Sequence, residues 1–189
     1  MGPPGSGKGT QATRLAAAFG VPAISSGDIF RANVAAETPL GRAAKQYMDA
    51  GAYVPDKVTN NMVRSRLQDH DAAQGWLLDG YPRTLAQVQE LDDIAVSTGH
   101  GLDVVVALDV DEEELIRRLA QRAVDEDRVD DTVEVIRHRQ LLFREQTAPL
   151  LAAYEERSLL RTVDGDGEVD DVTRRILDTL RAGSFIQDT

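Results

Sequence analysis

The sequence predicts an α/β fold with three layers around a central parallel sheet. Two patterns predict it: short apolar runs alternate with amphipathic helical stretches, and a glycine-rich loop opens straight into a helix at the start of the chain. The 189 residues, 42% of them hydrophobic, suffice for one core with small excursions. Strands are predicted at 21–25, 76–79, 104–108 and 160–163. A first helix over 11–19 places Ala12, Leu15, Ala16 and Phe19 on one face and stops at Gly20. Thr38 and Pro39 open a second that closes at Ala50 and Gly51, and Asp56 starts another with Val58, Met62 and Leu67 on its apolar side. Thr84 caps a helix through Leu85, Val88 and Leu91 that ends before Gly99. Asp111 with Glu114 three residues on has the form of a capping box ahead of Leu115 and Leu119. Thr132 and Thr147 open two later helices, with Pro149 near the start of the second, and the last runs through Val169, Val172, Ile176 and Leu180. The tail from 183 to 189 reads as frayed.

Composition excludes several function classes. With no cysteine there is no disulfide framework, thiolate zinc site or cysteine nucleophile. No apolar run approaches ~18 residues and no charged-then-apolar leader opens the chain, so the expectation is a soluble cytoplasmic protein. A net charge of −11 disfavours nonspecific nucleic-acid binding and anionic membranes, and neither is expected as a partner. Anionic small substrates would then need locally concentrated positive charge. The 18 arginines against 3 lysines supply planar donors suited to bidentate phosphate contacts, although a general bias toward arginine and acids accounts for the same count.

Four segments carry chemistry. Gly2-Pro3-Pro4-Gly5-Ser6-Gly7-Lys8-Gly9-Thr10-Gln11 is a polyphosphate loop: glycines turn successive N–H groups toward one anion, a helix N-terminus adds to the field, and the lysine spans the outer phosphates. The general pattern sets a hydroxyl directly after the lysine, whereas here Gly9 intervenes before Thr10. Ser25-Ser26-Gly27-Asp28-Ile29-Phe30-Arg31 follows a strand and can cradle a second phosphate; ordinary N-capping by Ser26 or Asp28 with a solvated arginine fits it equally. In Gly75-Trp76-Leu77-Leu78-Asp79-Gly80-Tyr81-Pro82-Arg83-Thr84-Leu85-Ala86-Gln87, a strand delivers Asp79 to the sheet end where parallel-sheet active sites lie, suited to Mg²⁺ through water. Arg83 follows a Gly-Tyr-Pro turn, placed for phosphate, and Gln87 offers an amide to a base edge. The stretch from 115 to 139 carries Arg117, Arg118, Arg122, Arg128, Arg137 and Arg139 around an acid-rich loop of lid-like length.

Taken together, these motifs resemble the adenylate kinases of the nucleoside monophosphate kinase family, from Gly2 to about Leu180. The resemblance implies a P-loop fold with a core of 1–25, 56–121 and 133–189, a small helical AMP-binding excursion over 26–55 and a short lid over 122–132. It implies nucleotide biosynthesis by a monomer, with reversible transfer of the ATP γ-phosphoryl to AMP, giving two ADP, and Mg²⁺ required; a zinc-bearing lid is not expected without cysteines. By position, Gly5, Ser6, Gly7, Lys8, Gly9 and Thr10 would hold the ATP phosphates. Arg118 and Arg122 would contact ATP, Arg118 against its adenine. Arg31 and Arg83 would hold the AMP phosphate, with Arg128 and Arg139 bridging toward the transferred group. Ser26, Arg31, Met48, Val54, Gly80 and Gln87 match the AMP pocket, and Asp79 with Thr10 the magnesium side. A UMP or CMP kinase is the nearest alternative; a nucleotide-dependent switch would carry an Asn-Lys-x-Asp segment, which the sequence lacks. Such a fold feeds its glycine loop from a buried strand, and only Met1 precedes Gly2. The expectation is that the functional sequence starts upstream, with stability and loop geometry affected.

Overall fold

Parallel strand pairs form the middle layer of the computed structural model, which describes residues 1–125 and 133–185. In the first pair β1 (Ala23–Ser25) runs beside β2 (Leu77–Asp79), with Ala23 opposite Leu77 and Ser25 opposite Asp79. In the second, β3 (Val105–Asp109) runs beside β4 (Leu160–Asp164), from Val105 opposite Leu160 to Asp109 opposite Asp164. Both pairs therefore end at a carboxylate on the same kind of edge, the C-terminal one. The expected single sheet is thus divided into these two pairs. Met1 attaches to the second: its amine donates to Val106 O, and its carbonyl accepts from Leu108 N at 2.9 Å. One residue makes here the contacts a strand end makes, and aims Gly2 into the loop.

Helices cover both sides. α1 (Lys8–Phe19) starts at the lysine itself, three residues earlier than the periodicity predicts, because Gly7 in a left-handed conformation serves as its N-cap. Its Leu15 joins Leu108, Leu115, Val163 and Ile176 in one cluster, contributed by β3, β4, α6 (Glu112–Asp125) and α9 (Val169–Ala182). On the other side Val88 of α5 (Leu85–Thr98) meets Val105 and the fully buried Leu150 and Tyr154 of α8 (Pro149–Glu156). A further cluster, around Ile24, Phe30, Ala44, Met62 and Leu91, ties α2 (Ser26–Ala35), α3 (Pro39–Asp49) and α4 (Asp56–Leu67) to the first strand pair.

Local signals were decided by their surroundings. Ser25, not Ser26 or Asp28, caps α2 by accepting from Asp28 N, and Thr38 and Thr84 cap α3 and α5 as their positions predict. Asp111 accepts from Glu113 N at 2.8 Å, but Glu114 does not reach back, so the expected capping box is half formed. Thr147 does not open a helix. α7 (Val133–Leu142) continues through a wide turn at Phe143–Thr147, where Ala148 N bonds five residues back to Phe143 O at 2.7 Å, and runs on into α8. Thr147 is consequently a mid-helix residue whose hydroxyl is free for a tertiary partner. The tail is not frayed as far as it is described: Phe185 N bonds to Leu180 O at 3.0 Å, and its ring lies 4.9 Å from the Arg161 guanidinium carbon. Thr132 and residues 186–189 lie outside the described residues.

Candidate active site

The cleft at the C-terminal strand ends holds about 960 Å³, near the upper end of the range for small-molecule sites. Its floor is the loop 2–7. Gly5 has φ +87, and a Cβ there would stand 2.9 Å from Leu119 Cγ and 3.1 Å from Leu115 O, so only glycine lets the loop lie flat on α6. Ser6 is 1% exposed beneath it. Lys8 Nζ reaches back over the loop to Pro3 O at 2.8 Å and to Ser6 Oγ at 3.5 Å, which centres its charge on the cradle. Gly9 and Thr10 fall in the first turn of α1, where N–H groups have no helical partner and face the cleft. A Cβ on Gly9 would stand 3.5 Å from Asp79 Oδ2, so the strand-end carboxylate lies directly against that first turn.

Guanidinium groups come in from several elements. Arg31 on α2 lines the cleft and is paired with Asp28. Arg83 donates its Nε to Gly80 O at 2.7 Å, and its backbone is pinned at both ends: its N–H donates to Gln87 Oε1 at 2.7 Å and its carbonyl accepts from Thr147 Oγ1 at 3.1 Å. Gly80, φ +74, permits this: a Cβ there would be 2.8 Å from Ser26 Oγ and 2.9 Å from Arg83 Nη2. Burial lowers the Arg83 pKa from its ordinary value, with Tyr53 and Asp79 opposing, and Arg139 and Arg31 lowering it further. Like charges gathered under partial burial are costly alone and favour a polyanion between them. On the opposite wall, Arg118 donates Nε to Glu114 Oε1 at 2.6 Å and Nη2 to Gly165 O at 3.1 Å, over the mouth of the loop. Hydrogen bonds from Arg117 and Arg118 hold the Glu114 carboxyl down at about 2.

The structure gathers Gly5, Ser6, Gly7, Lys8, Gly9, Thr10, Arg31, Met48, Val54, Asp79, Gly80, Arg83, Arg118 and Arg139 around this one cleft. Ser26 lies just behind the wall, 4% exposed, donating its hydroxyl to Gly80 O at 2.8 Å. Gln87 differs from its expected place at a base edge. It is 2% exposed and outside the lining, its Oε1 taken by Arg83 N and its Nε2 by Asp56 Oδ1 at 2.7 Å, with Thr84 bonding the other Asp56 oxygen at 2.9 Å. Its side chain holds Arg83 in place from below. The side chain of Arg122, and Arg128, lie outside the described residues. Sequence reasoning misses Asp56 in this role, together with Glu114, Tyr53 and Thr147: Asp56 and Thr147 carry only helix-start signals and Glu114 a capping-box spacing, while Tyr53 carries none. Among the described residues no group of three or more His, Cys, Asp or Glu is placed to hold a metal, and no helix is long and apolar enough to cross a membrane.

Comparison with known proteins bears on this geometry. A family model described as adenylate kinase matches residues 1–159. A protein named adenylate kinase from Nocardioides sp. is 62% identical over 180 residues, covering 95% of this chain and 94% of its own. Proteins of the same name from Kocuria rhizophila and Thermobifida fusca are 57% and 54% identical, each covering at least 95% of both chains.

Proposed function

This chain belongs to the adenylate kinase family, and we propose that its cleft carries out reversible transfer of the ATP γ-phosphoryl group to AMP, yielding two ADP, with both nucleotides bound end to end. The observation that supports the reading most is the convergence of Lys8, Arg31, Arg83, Arg118 and Arg139 on one cavity from five separate stretches of chain. Phosphoryl transfer asks little covalent chemistry of the protein; it asks for alignment of acceptor and donor and for neutralisation of equatorial charge. Lys8 and the amides of the loop and first turn of α1 hold the ATP phosphates, and Arg118, fixed by Glu114 and Gly165 O, stacks on the adenine. Arg31 and Arg83 hold the AMP phosphate in a pocket bounded by Met48, Val54 and Gly80, with Ser26 and Gln87 supporting its walls. Arg139, with Arg122 and Arg128, bridges toward the transferred group. No side-chain nucleophile is required, and the AMP oxygen attacks directly.

Mg²⁺ fits this donor set. Asp79 supplies hard carboxylate oxygen against the first turn of α1 and Thr10 a hydroxyl there, so these two would hold the ion, through water, on ATP. When bound, the ion neutralises charge on the phosphates. The AMP-binding region 26–55 and the lid 122–132, of which 126–132 lie outside the described residues, would close over substrates seated on the core of 1–25, 56–121 and 133–189, keeping water from competing for the phosphoryl. The family likeness favours a cytoplasmic monomer, and the charge of −11 disfavours nucleic acid and anionic membranes as partners. Coupled detection of ADP from ATP with AMP, CMP or UMP tests the reading. AMP is expected to be the preferred acceptor; preference for a pyrimidine nucleotide, or no ADP from any, would refute it.

A further inference from the structure

Tyr53 sits where the 26–55 excursion returns to the core, and it meets Arg83 once directly and once through Thr147. Its ring centroid is 5.0 Å from the Arg83 guanidinium carbon. Its hydroxyl is 2.9 Å from Thr147 Oγ1, and Thr147 in turn donates to the Arg83 carbonyl at 3.1 Å. A threonine hydroxyl has one proton, and here it is spent on Arg83 O. Tyr53 is therefore the donor, and the bonds run in one direction, from Tyr53 O–H to Thr147 O–H to the Arg83 carbonyl, each polarising the next. The partners are 94 residues apart, one on the excursion and the other at the wide turn after α7. A second contact holds the same loop: a Cβ on Gly51 would come 2.9 Å from Val135 Cγ1 and 3.2 Å from Val135 O, so this stretch of the excursion is seated on α7 as closely as backbone allows.

We propose that Tyr53 is a positioning residue that sets the Arg83 guanidinium for the AMP phosphate and, through Thr147, ties the excursion to the helix bearing Arg139. The inference rests on the reading that Arg83 holds that phosphate. The electron-rich ring face offsets part of the repulsion Arg83 meets from Arg31 and Arg139, so the cation keeps its place before the anion arrives. The hydroxyl chain fixes the backbone from which that side chain springs. An arginine that loses one of these supports still carries its charge, but spends less of its time aimed at the phosphate. The defect should therefore fall on AMP and spare ATP.

Steady-state kinetics of Tyr53→Phe, Tyr53→Leu, Thr147→Ser and Thr147→Val test this, with thermal melts beside them. Tyr53→Phe should lower kcat/KM for AMP about three- to tenfold, the scale of one hydrogen bond, while kcat/KM for ATP at saturating AMP stays within about twofold of wild type. Tyr53→Leu, which also removes the ring, should lower it further. Thr147→Ser keeps the hydroxyl and should match wild type. Thr147→Val should fall at least as far as Tyr53→Phe, and the Tyr53→Phe/Thr147→Val double variant no further than Thr147→Val alone, since both break one chain. Additive defects, an equal loss for AMP and ATP with a lowered Tm, or a Tyr53→Phe enzyme indistinguishable from wild type would overturn the proposal. Wild-type protein that makes no ADP from ATP and AMP would instead sink the function reading on which it rests.

Discussion

Replacing Arg83 by alanine removes one cation from the cleft while leaving the framework that holds it. The side chain gives the fold one Nε–H bond to Gly80 O and a ring contact with Tyr53, whereas the Gln87 and Thr147 bonds go to its backbone and survive truncation. Removal also relieves a guanidinium that burial and its neighbours Arg139 and Arg31 disfavour. The Tm of Arg83→Ala is therefore expected to be equal to that of wild type or above it. Activity should behave oppositely. Hydrogen bonds to charged groups are each worth about 1.5–3 kcal/mol, and a guanidinium can offer two in parallel to phosphate. Loss of about 2.7 kcal/mol in the transition state is about a hundredfold in rate, so kcat should fall at least about a hundredfold. Arg83→Lys should recover only part, because an ammonium is a point charge without the planar fork. The assay is coupled ADP formation from ATP and AMP, run beside a thermal melt of the same sample. Near-wild-type turnover in well-folded Arg83→Ala would refute the reasoning.

Two further outcomes test the fold and its electrostatics. Gly41 of α3 lies against the end of α2 so closely that a Cβ would sit 2.0 Å from Asn33 O and 2.6 Å from Val34 N, both backbone atoms that cannot swing aside. Gly41→Ala should destabilise by about 1–3 kcal/mol, a loss of roughly 2–12 °C in Tm at this chain length, and an unchanged melt would contradict the contact. Glu114 tests pH dependence: its folded-state pKa, about 2, lies below the ordinary 4.5, so its contribution is present above pH ~4.5 and is lost as the pH falls toward ~2. The Tm advantage of wild type over Glu114→Gln should shrink across that window and vanish near its lower end; an advantage that is constant down to pH 2 would contradict the Arg117 and Arg118 bonds as its source.

The loop, the strand ends and most helix boundaries were legible because each is specified within about ten residues. Gly5 and Gly7 announce positive φ, Lys8 announces an anion, and Asp79 is delivered by an apolar strand. What was not legible was decided by partners distant in sequence. Thr147 followed by Pro149 has the look of a helix start, but the helix already runs from α7, and the hydroxyl turns to Arg83 O and Tyr53 instead of to a local N–H. Asp111 and Glu114 have capping-box spacing, yet Arg118 lies one helical turn beyond Glu114, and a charge-assisted bond at that spacing competes successfully with a neutral amide. Gln87 sits at a position suited to a base edge, and nothing in its neighbourhood announces that Asp56, 31 residues earlier, takes its amide.

The bond from Ala148 N to Phe143 O also acts as a phase adjuster. Each residue of an α-helix turns the outward direction by about 100°, so one additional residue in the turn rotates everything after it relative to everything before. Arg139 and Phe143 on one side line the cleft, while Leu150 and Tyr154 on the other are locked under α5. Deleting a single residue between 143 and 147 would force a choice between these two allegiances: either the packed end stays home and the arginine swings out of the cleft, or the reverse.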